Sequence, residues 1–368
     1  MRYILRDKLG EGGMGVVFQA MDRLTHKTVA LKQLKINPQQ MVFDTIVGGT
    51  SSHLMLAREF QMLASLRHPH IIDVLDYGFE LGRPYFTMTL LENPRTIREA
   101  AQDDQVKTRL LIQTLQALAY MHHRGVIHRD LKPGNILVDE QDRVKVLDFG
   151  LALARDVQDD GGTGGTLAYI SPEVLQGYNA TAPSDLYAVG VIAYELFVGR
   201  HPFDLSGSLQ TMLHILQTPP DLDPLPVRLR LVIGKLLEKL PEYRYQSAVD
   251  AIHDLSAAMR VRVDQENIAI RESFLKAARF IGREPEMALL SGALDRLLEG
   301  ASSAWLIAGE SGVGKSRLID EIRTQALVAE VGANGVTVLF GQGVEGGGLP
   351  SQLWREPVFY THLHLPTS

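Results

Sequence analysis

His128-Arg129-Asp130-Leu131-Lys132-Pro133-Gly134-Asn135, with Ile136-Leu137-Val138 behind it and Asp148-Phe149-Gly150 further on, decides how this chain is read. Its weight comes from what stands upstream. Gly10-Glu11-Gly12-Gly13-Met14-Gly15 fits G-x-G-x-x-G, a weak pattern by itself. A dinucleotide-binding turn would open a helix holding phosphate at its N-terminus. Here Val16-Val17-Phe18-Gln19-Ala20 follows, which alternates and is β-branched at two positions, so the glycines sit in a strand-turn-strand. Missing Cβ atoms there let backbone amides approach phosphates closely, although an ordinary hairpin has the same composition. Val29-Ala30-Leu31-Lys32 then sets one lysine in an apolar strand, where a lysine usually faces solvent. Glu59, on a helix that Ser51 and Ser52 can cap, is a candidate partner for it.

Taken together and in this order, the glycine loop, the strand lysine, the helix glutamate and the two downstream motifs form a known kinase signature. The segment resembles bacterial Ser/Thr protein kinases of the eukaryotic-like (Hanks-type) class, over roughly the first 260 residues. The resemblance implies an α+β, bilobal protein-kinase fold with a strand-rich N-lobe (about 1–92) and a helical C-lobe (about 93–262). It also implies transfer of the γ-phosphate of ATP, with Mg2+, to Ser/Thr hydroxyls of protein substrates, the enzyme's own activation loop included.

Residue roles follow from the same resemblance. Lys32 would bind the α/β-phosphates while paired with Glu59. Asn135 and Asp148 would hold magnesium, a hard cation that takes oxygen ligands. Asp130 would accept the acceptor hydroxyl's proton, and Lys132 would steady the γ-phosphate; a lysine there is what points to Ser/Thr rather than Tyr. The ATP site would comprise the loop from Leu9 and Gly10 through Glu11, Gly12, Gly13, Met14 and Gly15 to Val16 and Val17. Ala30 and Leu137 would sandwich the adenine with Val17, Met88 would be the gatekeeper, and the hinge would run to Leu91. His128 reads as structural. Asp185 reads either as the anchor of the catalytic loop or as a plain helix cap. Glu173 and Arg244 match a salt bridge inside the large lobe. In the activation segment, Thr166 would contact the catalytic aspartate, and Thr163 is a candidate phosphosite in a small, polar stretch. Two departures stand out: Leu153 where a second basic residue is frequent, and 26 residues between Lys32 and Glu59.

The remaining sequence fits a multi-domain protein. Over 368 residues, apolar types make up 45% and charged types 22%, ordinary values for a chain with a large core. A net charge of -6 gives no reason to expect nucleic-acid binding. No cysteine is present, which excludes disulfides and thiolate sites. No run of about 18 apolar residues occurs, so no membrane span is expected. With no signal-peptide pattern, the expectation is a cytoplasmic protein; a single sequence is silent on oligomeric state. Strands are expected near 71–75 and 85–90, and helices over 106–124, 183–199, 209–217, 227–240 and 247–261.

After a polar linker helix over 263–279, a second unit begins at Phe280. Trp305-Leu306-Ile307-Ala308 reads as a strand leading into Gly309-Glu310-Ser311-Gly312-Val313-Gly314-Lys315-Ser316, a full P-loop before a helix. Gly309, Gly312, Gly314, Lys315 and Ser316 are its nucleotide-binding candidates. Phe280-Ile281-Gly282-Arg283-Glu284 resembles the start of AAA-like signalling ATPases. No apolar strand ending in an acidic residue follows Ser316, so 280–368 is expected to be a truncated P-loop NTPase-like module. Two rival functions are a pseudokinase scaffold, against which Lys32, Asp130, Asn135 and Asp148 all stand, and a nucleotide-sensing regulator built on the P-loop.

Overall fold

The computed structural model describes residues 2–12, 15–35, 66–80, 83–148, 167–203, 208–261, 283–298, 300–308, 318–319 and 322. The first strands follow the alternating apolar pattern: β1 (Tyr3–Gly12), β2 (Gly15–Asp22) and β3 (Thr28–Leu34). With β4 (Val74–Glu80) and β5 (Arg83–Thr89) they form an antiparallel sheet in the order β1-β2-β3-β5-β4. The strand expected from 71 starts later: Ile71 makes only an isolated bridge to Val146.

Register fixes which side chains share a face. Val17 lies opposite Lys32, Lys32 opposite Phe86, and Ala30 opposite Met88. Ala30, Met88 and Phe86 belong to the main core, whereas Ala20, Val29 and Leu31 pack with Tyr3 on the other side of the sheet. Lys32 therefore points inward and is only 4% exposed, unlike the usual solvent-facing strand lysine.

Helices dominate the second half. β6 (Arg95–Thr96) and α1 (Ile97–Ala100) lead into α2 (Asp104–His123), which Asp103 caps through its carboxylate and Gly125 ends at φ 74°. β7 (Ile136–Val138) and β8 (Val144–Val146) complete a small sheet with β6. Then come α3 (Pro172–Leu175), α4 (Ala182–Val198), α5 (Ser208–Gln217), α6 (Val227–Leu236) and α7 (Ala248–Met259). α2 packs between α4 and α7, and one continuous core runs from Ala30 and Met88 through Leu115 and Tyr120 to Leu186 and Ile233. α6 stops at Leu236, short of the expected Leu240. Pro241 disfavours helical backbone before it, and the Glu238 and Lys239 carbonyls turn away to accept from Arg244.

In the C-terminal unit the described residues include α8 (Glu284–Leu298). Residues 305–308 carry no strand pairing, and Leu306 is 93% exposed. A strand needs a neighbouring strand for its backbone groups, and none of the described residues supplies one to 305–308. The linker 263–279 and the P-loop residues Gly309, Gly312, Gly314, Lys315 and Ser316 lie outside the described residues.

Candidate active site

The site is assembled where the loop after α2 meets the end of β8. Asp185, in the first turn of α4 and 2% exposed, has its carboxylate turned onto this loop. Its Oδ2 accepts the His128 N–H at 2.8 Å and its Oδ1 the Arg129 N–H at 2.9 Å. His122 Nε2, at 2.8 Å from Oδ2, completes the anchor. Thr181 caps α4 instead, with its N–H donated to Ser184 Oγ at 2.9 Å, so Asp185 is the anchor rather than the cap. Arg129 takes a left-handed φ of 67°, a strain on the order of 1–3 kcal/mol that hydrogen bonds to a charged group offset.

His128 is a structural brace. Its Nδ1 accepts the Asp130 N–H at 3.3 Å, so the proton sits on Nε2, which donates to the Leu147 carbonyl at 2.9 Å. Burial pushes its pKa down and keeps the ring neutral. One imidazole thus ties the catalytic loop to the backbone immediately before Asp148.

Asp130, 9% exposed, holds its carboxylate among cationic and amide donors. Lys132 Nζ donates to Oδ2 at 2.9 Å. Asn135 Nδ2 donates to the same oxygen at 3.1 Å and to the Asp130 carbonyl at 2.8 Å. Because the amide nitrogen is used this way, the Asn135 amide oxygen faces away from Asp130. The Leu147 N–H donates to the Asn135 carbonyl at 2.9 Å, which sets Asp148 beside Asn135. Lys32 Nζ reaches Asp148 Oδ1 at 2.6 Å, linking the inward face of the sheet to the end of β8.

The roof is the β1–β2 turn, whose Gly13 and Met14 lie outside the described residues. Gly15 has to be glycine because a Cβ there would fall 2.3 Å from the Gln33 carbonyl oxygen. Gly10 and Gly12 differ: a Cβ on either would meet nothing within 4 Å, so the space beside them is open. Glu11 pairs with Lys8 and Lys35 across the surface of the roof. Val17 and Leu137 are half-buried, Ala30 and Met88 are buried, and Leu91 packs against the core. Leu9 and Glu11 are exposed, and Val16 is half-buried.

Glu59, Phe149, Gly150, Thr163 and Thr166 lie outside the described residues, so the described partner of Lys32 is Asp148. Arg244 and Glu173 form the expected pair, at 2.7 Å and 2.8 Å. His122 is the functional neighbour that sequence reading missed. It sits in the last turn of a helix, and its partner is 63 positions away, so no local spacing could reveal it.

This fold and this constellation define the class. The chain matches the protein kinase domain over residues 3–254 and belongs to the protein kinase family. Residues 279–358 match the AAA ATPase domain. Serine/threonine-protein kinase PknA of Mycobacterium tuberculosis is 36% identical over 279 residues, covering 70% of this chain and 62% of the relative. The DNA damage-responsive serine/threonine-protein kinase RqkA of Deinococcus radiodurans is 35% identical over 275 residues, 70% of this chain and 40% of its own. Serine/threonine-protein kinase PknB of Mycobacterium leprae is 34% identical over 276 residues, 69% and 42%. The chain thus spans 40% to 62% of the length of these relatives.

Proposed function

We propose that the protein transfers the γ-phosphoryl group of ATP to serine or threonine hydroxyls of protein substrates. The observation that carries this reading is the convergence of Lys132 and Asn135 on Asp130, with Lys32 and Asp148 paired beside them. Asp130 is held in place to orient an acceptor hydroxyl and take its proton, with geometry set before substrate arrives. Lys132 places a positive charge beside the reacting oxygens as negative charge moves onto the leaving phosphate. Lys32 stands ready to exchange its Asp148 contact for the α/β-phosphates, and the open glycine roof admits those phosphates to backbone N–H groups.

The donors here suit magnesium. Asn135 offers an amide oxygen and Asp148 a carboxylate, both hard ligands, and phosphate oxygens with water would complete the set. When bound, magnesium supplies neutralisation of the phosphate charge. We read 309–316 as a second phosphate-binding site, on its match to the AAA ATPase domain, with Lys315 and Ser316 as its polar contacts.

One assay separates these sites: labelled ATP, magnesium and myelin basic protein, with wild type beside Asp130→Ala and Lys315→Ala. Transfer should fall by about 10²–10⁴ in Asp130→Ala and stay at the wild-type level in Lys315→Ala. Transfer that survives in Asp130→Ala and vanishes in Lys315→Ala would sink the kinase assignment.

A further inference from the structure

Leu167–Tyr169 forms a short 3-10 turn near the end of the activation segment, and two separate devices hold it. The first grips its side chain. Tyr169 Oη donates to Glu195 at 3.0 Å and accepts from Arg98 Nη2 at 2.6 Å, while Arg98 also reaches Glu195 at 2.7 Å. The second grips its backbone. His201 Nε2 lies 2.9 Å from the Ala168 carbonyl oxygen; a carbonyl can only accept, so this nitrogen carries a proton. His201 Nδ1 lies 3.1 Å from both the N–H and the carbonyl oxygen of Phe203, which orients the ring from its own loop. That loop is itself fixed. Phe203 is 6% exposed, and Lys239 Nζ sits 4.1 Å from the centre of its ring while donating to the Ile215 carbonyl at the end of α5.

The turn leads straight to the reaction centre. A cavity is lined jointly by Arg129 and Asp130 and by Tyr169, Ile170 and Ser171. Lys32, which the kinase reading assigns to the nucleotide, meets the site through Asp148 and the sheet. Among the described residues, Asp130 and Tyr169 share this cavity wall, which also takes in Asp185 of α4. A protein chain that brings a hydroxyl to Asp130 along this turn takes its position from the turn.

We infer that His201 is a positioning residue for the protein acceptor, acting through its hydrogen bond to the Ala168 carbonyl; this rests on the kinase reading above. The chemistry allows a clean dissection. Asparagine at 201 has an oxygen at the Nδ1 level and can keep the local bond to Phe203, but it is too short to reach Ala168. Glutamine carries an N–H one atom further out and can keep the tether. Steady-state kinetics with myelin basic protein and ATP should give an acceptor KM raised about fivefold in His201→Asn, the worth of one net hydrogen bond. His201→Gln should restore the acceptor KM to near the wild-type value, and the KM for ATP should be the same in all three proteins.

An unchanged acceptor KM in His201→Asn would overturn the inference. So would a parallel rise in both KM values, or a Gln variant no better than Asn, since either pattern describes general loosening of the lobe. Failure of the kinase reading has another signature, transfer insensitive to Asp130→Ala in every background, and it removes this inference with it.

Discussion

Asp185 shows how much one carboxylate can organise. Two backbone N–H groups and one imidazole converge on it, and through them it holds the left-handed turn at Arg129 that aims Asp130. Replacement by alanine would leave buried donors without an acceptor, and hydrogen bonds to charged groups are worth about 1.5–3 kcal/mol each. Asp185→Ala should therefore lose on the order of 3 kcal/mol in denaturant unfolding and most of its phosphotransfer at temperatures where it remains folded. A variant with full stability and full turnover would show that the loop holds its own shape. At this scale the sequence was legible for residues inside a motif, such as Asp130, Lys132 and Asn135. Lys32 shows the boundary. The motif order assigned it to the phosphates, whereas its inward direction rests on the register opposite Val17 and Phe86 and its contact with Asp148 on tertiary structure.

The connection from Leu66 to Ile71 is an element without regular structure, yet it joins the sheet to α2 and β8. His68 stacks on Tyr120 with ring centres 5.1 Å apart, and its Nδ1 accepts the His70 N–H at 3.1 Å. His70 Nδ1 lies 3.3 Å from the Val144 carbonyl, and Ile71 bridges to Val146. Burial lowers the pKa of His68 to about 3 and that of His70 to about 4, and the nearby His70 and Lys145 charges add to the effect on His68. In the unfolded chain both rings titrate near the ordinary value of about 6.5. The unfolded state then binds more protons than the fold between these limits. This part of the stability is complete above about pH 6.5 and drains as the pH falls. Thermal unfolding should show a clear loss between pH 7 and pH 5, on the order of 2 kcal/mol per ring at the lower value. An unfolding temperature that stays flat over that interval would contradict the buried, neutral assignment. The histidines were visible in the sequence. Their burial depended on Tyr120 and Val144 arriving from other elements.

Across the whole molecule, Arg244 joins segments far apart in the chain. All five N–H groups of its guanidinium are used, on Glu173 and on the carbonyls of Pro183, Glu238 and Lys239. Burial raises the Glu173 carboxyl, but the bonds from Arg244 and Ser184 outweigh it and leave the group below its ordinary range. Removing one partner strands a buried charge, so Arg244→Met should cost about 3–5 kcal/mol. The unfolding temperature should drop while the KM for ATP in the folded fraction stays unchanged. A shifted KM with unaltered stability would move this pair from architecture into the site. The helix termini of the large lobe were readable for similar local reasons: Gly125 and Gly199 stop their helices with positive φ, and Ser247 caps α7 through its side chain. The end of α6 was not, because the carbonyls that leave the helix do so for Arg244.

The sequence by itself determined the class of fold, the order of its elements and the identity of the groups around Asp130. Those properties are carried by local pattern: turn glycines, alternating strands, capped helices and motifs whose members lie within a few residues of one another. Tertiary structure alone decided which of several plausible roles each residue took. Asp185 became an anchor rather than a cap, His122 acquired a partner, Lys32 met Asp148, and His201 reached the Ala168 carbonyl. Each of these is a polar contact between distant segments. Its energy depends on distance and burial, and neither exists until the core has brought the segments together.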